Sequence, residues 1–317
     1  MDDAGIRIGI SSCLLGHEVR FDGGHKRDRY VVDTLGEHFD WVAVCPEVEL
    51  GLGTPRETIR LVQLGGGVKL RSTNTEVDLT EDMENYAKRR VAKLIDADLS
   101  GYILKRGSPS CGMQRVKVRQ PQGSTKRNGR GVFAAALLSR LPNLPVEEES
   151  RLYDPRLREN WVERVFAYRA LQDCWRRRWR ISDLADFHTR CKFQLLAHSE
   201  TEYREMDRLL AAAKSLRRNR LRDQYETQFM AVMKRVATVR KHVNVLKRML
   251  AVFKKQLDAA ARDELMAHIE DYQRGLVPLV IPLMLIRHYA RVLDIGCLRE
   301  QWYLNPHPKE LALRNHV

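Results

Sequence analysis

Around Leu141-Pro-Asn-Leu-Pro145 the hydrophobic rhythm of the chain changes, and that change constrains the fold more than any other feature. Before it, short apolar runs alternate with stretches of helical spacing, and the runs end in turns rich in Gly, Ser or Pro. Ile6–Ile10 ends at Ser11-Ser12-Cys13, Trp41–Val44 at Cys45-Pro46-Glu47, and Tyr102–Lys105 at Gly107-Ser108-Pro109-Ser110-Cys111-Gly112. Short apolar runs bounded by such turns read as buried strands. Between them, Arg29–Phe39, Thr80 to about Asp96 and Val132–Arg140 have helical spacing. The second of these carries acids in its first turn and Lys88, Arg89, Arg90 and Lys93 later, which suits the helix dipole. Residues 58–71 read as a hairpin or two short strands around Gly65-Gly66-Gly67. Strand–helix alternation predicts an α/β domain with a mostly parallel, Rossmann-like sheet and helices on both faces.

Beyond the boundary, apolar residues recur at three and four, as in Phe229, Val232, Met233, Val236, Val239, Val243, Leu246, Leu250 and Phe253. This spacing predicts an all-α domain with helices at about 155–178, 182–198, 200–215, 220–256 (one long helix), 259–273 and 278–294. The expected division is therefore 1–148 and 149–317.

The 317-residue chain carries 55 Lys+Arg against 41 Asp+Glu, a formal charge of +14. Residues 1–145 hold 22 basic and 18 acidic side chains, and residues 146–317 hold 33 and 23. Such a balance points to a polyanionic partner, usually nucleic acid. No segment approaches the ~20 unbroken apolar residues of a membrane span. Leu276–Ile286, interrupted by Pro278 and Pro282, reads as a buried core helix. An acidic opening, Met1-Asp-Asp, lacks the basic start of a signal peptide. A cytoplasmic protein with no membrane partner is expected, in which six cysteines are not structural disulfides. Cys174, Cys191 and Cys297 lie in helical patterns and are expected in the core.

Cys13, Cys45 and Cys111 each closely follow a predicted strand. Ligands bind open parallel sheets in the crevice outside the carboxyl ends of the strands. Three turns leaving one edge can therefore gather three thiols, although 31 and 65 residues separate them. No CxxC spacing is present. The residues alone leave three readings: a soft metal cluster with one open iron, a catalytic thiolate, or plain strand-end cysteines.

Four ordered motifs resemble the thiouracil desulfurase family over approximately residues 5–150. They are Ser11-Ser-Cys-Leu-Leu-Gly16, Val19-Arg-Phe-Asp-Gly23, Cys45-Pro-Glu47 with Gly51-Leu-x-x-Pro-Arg56, and Ser108-Pro-Ser-Cys-Gly112. Residues 185–310 resemble the helical domain fused to it in tRNA 4-thiouridine desulfidases. Those matches are Arg190-x-Lys-Phe-x-Leu-Leu-Ala-His-Ser199, His242-x-Asn-Val-Leu246, Ile281-Pro-Leu283 and Tyr303-Leu-x-Pro-His-Pro-x-Glu-Leu311.

This resemblance implies a [4Fe–4S] cluster held by Cys13, Cys45 and Cys111, and hydrolytic, non-redox conversion of 4-thiouridine in tRNA to uridine. Such hydrolysis needs a proton acceptor near the water and a donor to the ring nitrogen or sulfur. Glu47 is the candidate acid/base, its alternative being a strand-end carboxylate that accepts backbone N–H bonds. Ser108 is a candidate to hold the water or the pyrimidine edge, or else a turn-former. Asp22, Lys26, Arg56 and Ser110 are substrate-binding candidates, with surface charge, a salt bridge or turn structure as alternatives. Glu49 reads as structural. Basic clusters at Arg176-Arg-Arg-Trp-Arg180, Arg217–Arg222, Lys234-Arg235, Arg240-Lys241, Lys247-Arg248 and Lys254-Lys255 suit an RNA-facing stripe. His188 and His198 lack metal-ligand spacing and read as core or cap residues. Other readings of the same residues are action on free thiouracil, a non-catalytic iron–sulfur redox sensor, and a DNA-binding repair partner.

Overall fold

The computed structural model describes residues 5–176, 178–253 and 256–316. Its strands β1 (Ile6–Ser11), β2 (Phe39–Val44), β5 (Leu99–Leu104) and β8 (Val146–Glu148) form a wholly parallel sheet in the order β2-β1-β5-β8. Ser11 pairs with Val44 and Leu104 with Glu148, so the four carboxyl ends share one edge. Every residue of β5 is buried, the signature of a strand covered on both faces. At Gly9 the centre of β1 tolerates no side chain, because a Cβ there would lie 2.2 Å from the Tyr102 ring.

A second, mixed sheet has the order β4 (Gly67–Ser72), β3 (Ile59–Leu64), β6 (Val116–Arg119), β7 (Thr125–Gly129). The expected hairpin is β3 with β4, and a further hairpin, β6 with β7, runs its first strand parallel to β3. Thr125-Lys-Arg-Asn-Gly129 holds no apolar residue and is almost wholly exposed, so no periodicity announces it. The helices of this half are α1 (Pro46–Glu49), α2 (Thr80–Asp96) and α3 (Val132–Arg140). The expected helix at Arg29–Phe39 is only a wide turn, Tyr30–Thr34, and a 3₁₀ turn, Leu35–Glu37. The β-branched pair Val31-Val32 and Gly36 weaken a regular helix there, while Val31 and Leu35 still anchor the segment in the core.

The chain divides into two compact units, Met1–Tyr153 and Asp154–Val317. Residues 149–153 belong to the first unit because Glu149 accepts the Arg106 N–H at 2.7 Å and Tyr153 donates to Asp28 at 2.9 Å.

The second unit is helical: α4 (Pro155–Arg176), α5 (Ile181–His198), α6 (Glu200–Ala211), α7 (Arg218–Met233), α8 (Val239–Val252), α9 (Ala259–Arg274), α10 (Val280–Val292) and the short α11 (Gly296–Arg299). The expected long helix is broken between Met233 and Val239. Asn160 donates to the Met233 carbonyl at 2.9 Å, the Arg235 carbonyl bonds the His198 ring at 2.5 Å, and Thr238 caps α8. Partners from other helices thus end α7, which local periodicity cannot reveal. The basic stripe is interrupted as well. Arg235 pairs with Glu202 at 2.6 Å, Arg248 with Glu200 at 2.7 Å, and Lys241 donates to the His198 carbonyl. Arg177 and Lys254-Lys255 lie outside the described residues.

Leu279, Leu283 and Ile286 are buried as expected of a core helix, whereas Leu276 and Met284 are exposed. Cys191 is buried, Cys174 half-buried and Cys297 exposed, the last on α11, whose buried residue is the neighbouring Leu298. Among the described residues no helix is long and apolar enough to cross a membrane.

Candidate functional site

Each of the three cysteine-bearing turns is fixed by its own local chemistry. After β1 the chain winds a 3₁₀ turn, Ser12–Leu15, and the Cys13 carbonyl accepts the Lys26 N–H at 2.9 Å. Cys45 is the residue before α1. Its N–H is accepted at 3.2 Å by Glu49, which also takes Tyr86 and Arg90, each at 2.8 Å, so Glu49 is a structural cap. In the turn after β5, the Ser108 hydroxyl accepts the N–H groups of Ser110 and Cys111 at 3.1 and 3.0 Å. Ser11 accepts the Lys105 N–H at 3.0 Å and joins the ends of β1 and β5.

These turns border one cavity of about 240 Å³ at the carboxyl edge of the parallel sheet. Cys13, Cys45, Cys111, Glu47, Ser108 and Arg56 all line it. The other three expected site residues do not. Asp22 bonds Arg20 and the Gly24 N–H, Lys26 is exposed, and Ser110 is fully buried with its hydroxyl unpartnered. Arg56 donates to the Val19 and Gly53 carbonyls at 3.1 and 2.8 Å rather than to an acid, and so pins the loop at the cavity wall.

Glu47 stands between two of the candidates. One carboxylate oxygen lies 3.6 Å from the Cys45 thiol, the other 3.5 Å from the Ser108 hydroxyl. The serine contact is long for a hydrogen bond and a thiol is a weak donor, so the carboxylate is only loosely held. Burial pushes the Cys13 thiol up to about 11 and the Cys45 thiol up to about 12, and the Glu47 charge adds to both. Cys111 is also pushed well up, by burial first, then by Glu47 and the two other cysteines. Thiols so disfavoured as free anions are ones a cation can stabilise. Among the described residues no three His, Cys, Asp or Glu side chains close around a single metal ion.

Sequence reasoning passed over Arg20, Phe21 and Lys105, which also line the cavity. Lys105 pairs with the buried Glu149, and its charge favours the Cys13 thiolate. Its signal was its place directly after β5, on the edge where the cysteines gather.

The second unit holds a small cavity of about 50 Å³ among Glu159, Glu163, His198 and His242. Beside it Arg314 donates to Glu159 at 3.0 Å, to Glu163 at 2.6 Å and to the Tyr303 carbonyl at 2.5 Å. His242 meets the Tyr303 hydroxyl at 2.7 Å, and His188 meets Tyr225 and Asp207 at 3.0 and 3.1 Å.

Residues 8–149 match the family described as 2-thiouracil desulfurase, and residues 192–308 match a protein family of unknown function, DUF1722. The uncharacterized protein YbgA of Escherichia coli (strain K12) is 33% identical over 133 residues, which are 42% of this chain and 79% of YbgA. Another, YbbK of Bacillus subtilis (strain 168), is 34% identical over 134 residues, 40% of this chain and 87% of YbbK. A solved [4Fe–4S]-dependent thiouracil desulfidase, TudS, is 31% identical, covers 47% of this chain and 94% of its own, and superposes with a TM-score of 0.39. Through residues 8–149 the chain belongs to the 2-thiouracil desulfurase family, and through residues 192–308 it carries the DUF1722 domain.

Proposed function

We propose that the first unit hydrolyses the carbon–sulfur bond of a thiolated pyrimidine, 4-thiouridine in tRNA, and that Cys13, Cys45 and Cys111 hold a [4Fe–4S] cluster for that purpose. The observation that carries this reading is the convergence of three thiols and one loosely held carboxylate on a single cavity. Three soft donors suit an iron–sulfur centre. Bound there, such a cluster supplies an electrophilic iron with a coordination position free for the thiocarbonyl sulfur.

The remaining work falls to this chain's own side chains. Glu47 takes the proton of the water that attacks the ring carbon and returns a proton to the ring nitrogen or the departing sulfur. Ser108 orients that water from the carboxylate's other side. Arg56 holds the cavity wall, and its guanidinium contributes positive charge toward a phosphate or the ring. Thiocarbonyl and water become carbonyl and hydrosulfide plus a proton, with no net electron transfer.

Two features support tRNA as the substrate. Residues 146–317 hold 33 basic side chains against 23 acidic. In that unit Arg218 donates to the Trp179 carbonyl at 3.1 Å and lies 5.7 Å over its ring, and Arg222 lies 5.8 Å over Trp175. The arginine runs near 176–180 and 217–222 are thereby drawn together, a pattern suited to phosphate backbones. The helical unit then binds tRNA while the first unit does the chemistry, in the cytoplasm where tRNA resides. Action on free thiouracil is the second reading, favoured by the description of the matched family.

Anaerobic reconstitution with iron and sulfide, followed by nucleoside analysis of treated tRNA, tests the proposal. The expected result is conversion of 4-thiouridine to uridine with equal release of sulfide over many turnovers. Release from free thiouracil alone, with no salt-sensitive tRNA binding, selects the second reading. Iron loading without any sulfide release rejects both and leaves a sensor.

A further inference from the structure

We propose that Phe21 is the platform on which the pyrimidine ring of the substrate stacks. The assignment rests on the cavity being the seat of a thiopyrimidine, and it names the residue that recognises the ring's face. Phe21 is 39% exposed, although a phenyl ring gains most when fully buried. Among the described residues it is the cavity's only aromatic side chain, and the only exposed large apolar one of the first unit that borders the cavity.

The ring is held in place rather than left loose. Its own backbone carbonyl accepts the Arg56 N–H at 2.9 Å, and the Arg20 N–H is accepted by the Gly24 carbonyl at 3.2 Å across the turn. The Arg20 guanidinium lies 5.1 Å from the ring centroid, and Asp22 fixes that guanidinium through two contacts of 3.3 Å. Asp22 also closes the turn by accepting the Gly24 N–H at 3.1 Å. One carbonyl before Arg20, that of Val19, accepts the Cys45 thiol at 3.8 Å. A braced aromatic side chain is thus tied to the same loop that touches a sulfur ligand.

Geometry of this kind suits a base that has left its stack. Enzymes acting on a base within a folded nucleic acid extrude it and replace its lost stacking with aromatic side chains. Arg20 covers one flank of the ring, and the 39% of Phe21 left exposed is the area the proposal assigns to a planar heterocycle. Asp22 consequently acts through Arg20 as a positioning residue and makes no contact with substrate.

Calorimetric binding of uridine, the unreactive product, to the iron-loaded holoenzyme tests the platform, alongside steady-state kinetics with 4-thiouridine. Phe21→Ala is expected to weaken uridine binding about tenfold and to raise KM for 4-thiouridine by a similar factor, the size of one lost base–aromatic contact. Phe21→Tyr restores both, while Phe21→Leu, apolar but without a π face, does not. Iron content, visible absorbance and kcat stay near their wild-type values throughout the series. Leu serving as well as Phe, or an unmoved uridine affinity in the Ala variant, overturns the stacking role even if desulfidation is fully active. Conversely, uridine binding that depends on Phe21 in an enzyme that frees no sulfide from any thiopyrimidine sinks the desulfidase reading and keeps the platform. A wild-type holoenzyme that binds no uridine and shows no saturation by 4-thiouridine sinks both.

Discussion

The two units treat buried polar chemistry in opposite ways. In the first, three thiols, Glu47 and Ser108 line a shared space, and Glu47 meets Ser108 and Cys45 only at 3.5 and 3.6 Å. In the second, Arg314 is clamped between Glu159 and Glu163 at 3.0 and 2.6 Å, and His242 is closed against Tyr303 at 2.7 Å. Polar groups that satisfy each other hold a fold together, and groups left slack around a void are kept for a ligand. The difference places His188 and His242 of the helical unit in tight polar contacts with Tyr225, Asp207 and Tyr303.

The largest effect that sharpens this contrast is expected from the cysteines. Cys13→Ala, Cys45→Ala or Cys111→Ala should abolish stable iron loading and sulfide release, measured by iron assay and visible absorbance. Full loading in all three variants breaks the assignment. Next comes Glu47→Ala, which should keep its iron yet lose about 10²–10⁴-fold in kcat, the span of general acid–base catalysis. Arg314→Met reverses the pattern. It leaves two carboxylates buried without their cation and should destabilise the helical unit by about 3–5 kcal/mol, read by denaturant melts with iron content unchanged.

Acid should discriminate between the units by a smaller margin. Burial holds the His242 ring down to about 3, against an ordinary value of 6.5. Between those values the unfolded chain binds a proton that the folded one refuses, so stability falls as pH drops through that window. Burial also holds His188 and His307 down. The melting temperature of the helical unit should therefore decline from about pH 6.5 toward 3, and His242→Gln should lessen the slope. Least of all, Lys26→Ala should change kcat/KM for a free thiopyrimidine by less than about twofold, because its exposed side chain does not line the cavity and its backbone bond to Cys13 survives the substitution.

Much of the first unit was legible because its strands are short apolar runs that end where the chemistry begins. Thr80–Asp96 and Val132–Arg140 form the helices that periodicity, and in the first case the charges at its two ends, predict. The strand β7 was hidden because none of its residues is apolar, and the break between α7 and α8 because Asn160 and His198 act from distant positions. At the site, spacing after strands nominated the cysteines, and the chemistry of hydrolysis together with the family motifs nominated Glu47. Neither revealed that Lys105 and Phe21 border the same cavity, since sheet register alone brings those turns together. Asp22 lies in the motif Val19–Gly23 and Lys26 just beyond it, yet the turn bonds Asp22 to Arg20 and leaves Lys26 exposed outside the cavity lining.

Placing one sulfur on each of three parallel strand ends has a consequence for biosynthesis. Paired cysteines two residues apart can capture metal while a nascent chain is still unstructured. Here 31 and 65 residues intervene, and the central strand β1 must already lie between β2 and β5 before the thiols share a neighbourhood. On the ligand assignment proposed above, a cluster bridging all three sulfurs would need the β2-β1-β5 arrangement in place, so its assembly and the folding of this sheet would be coupled.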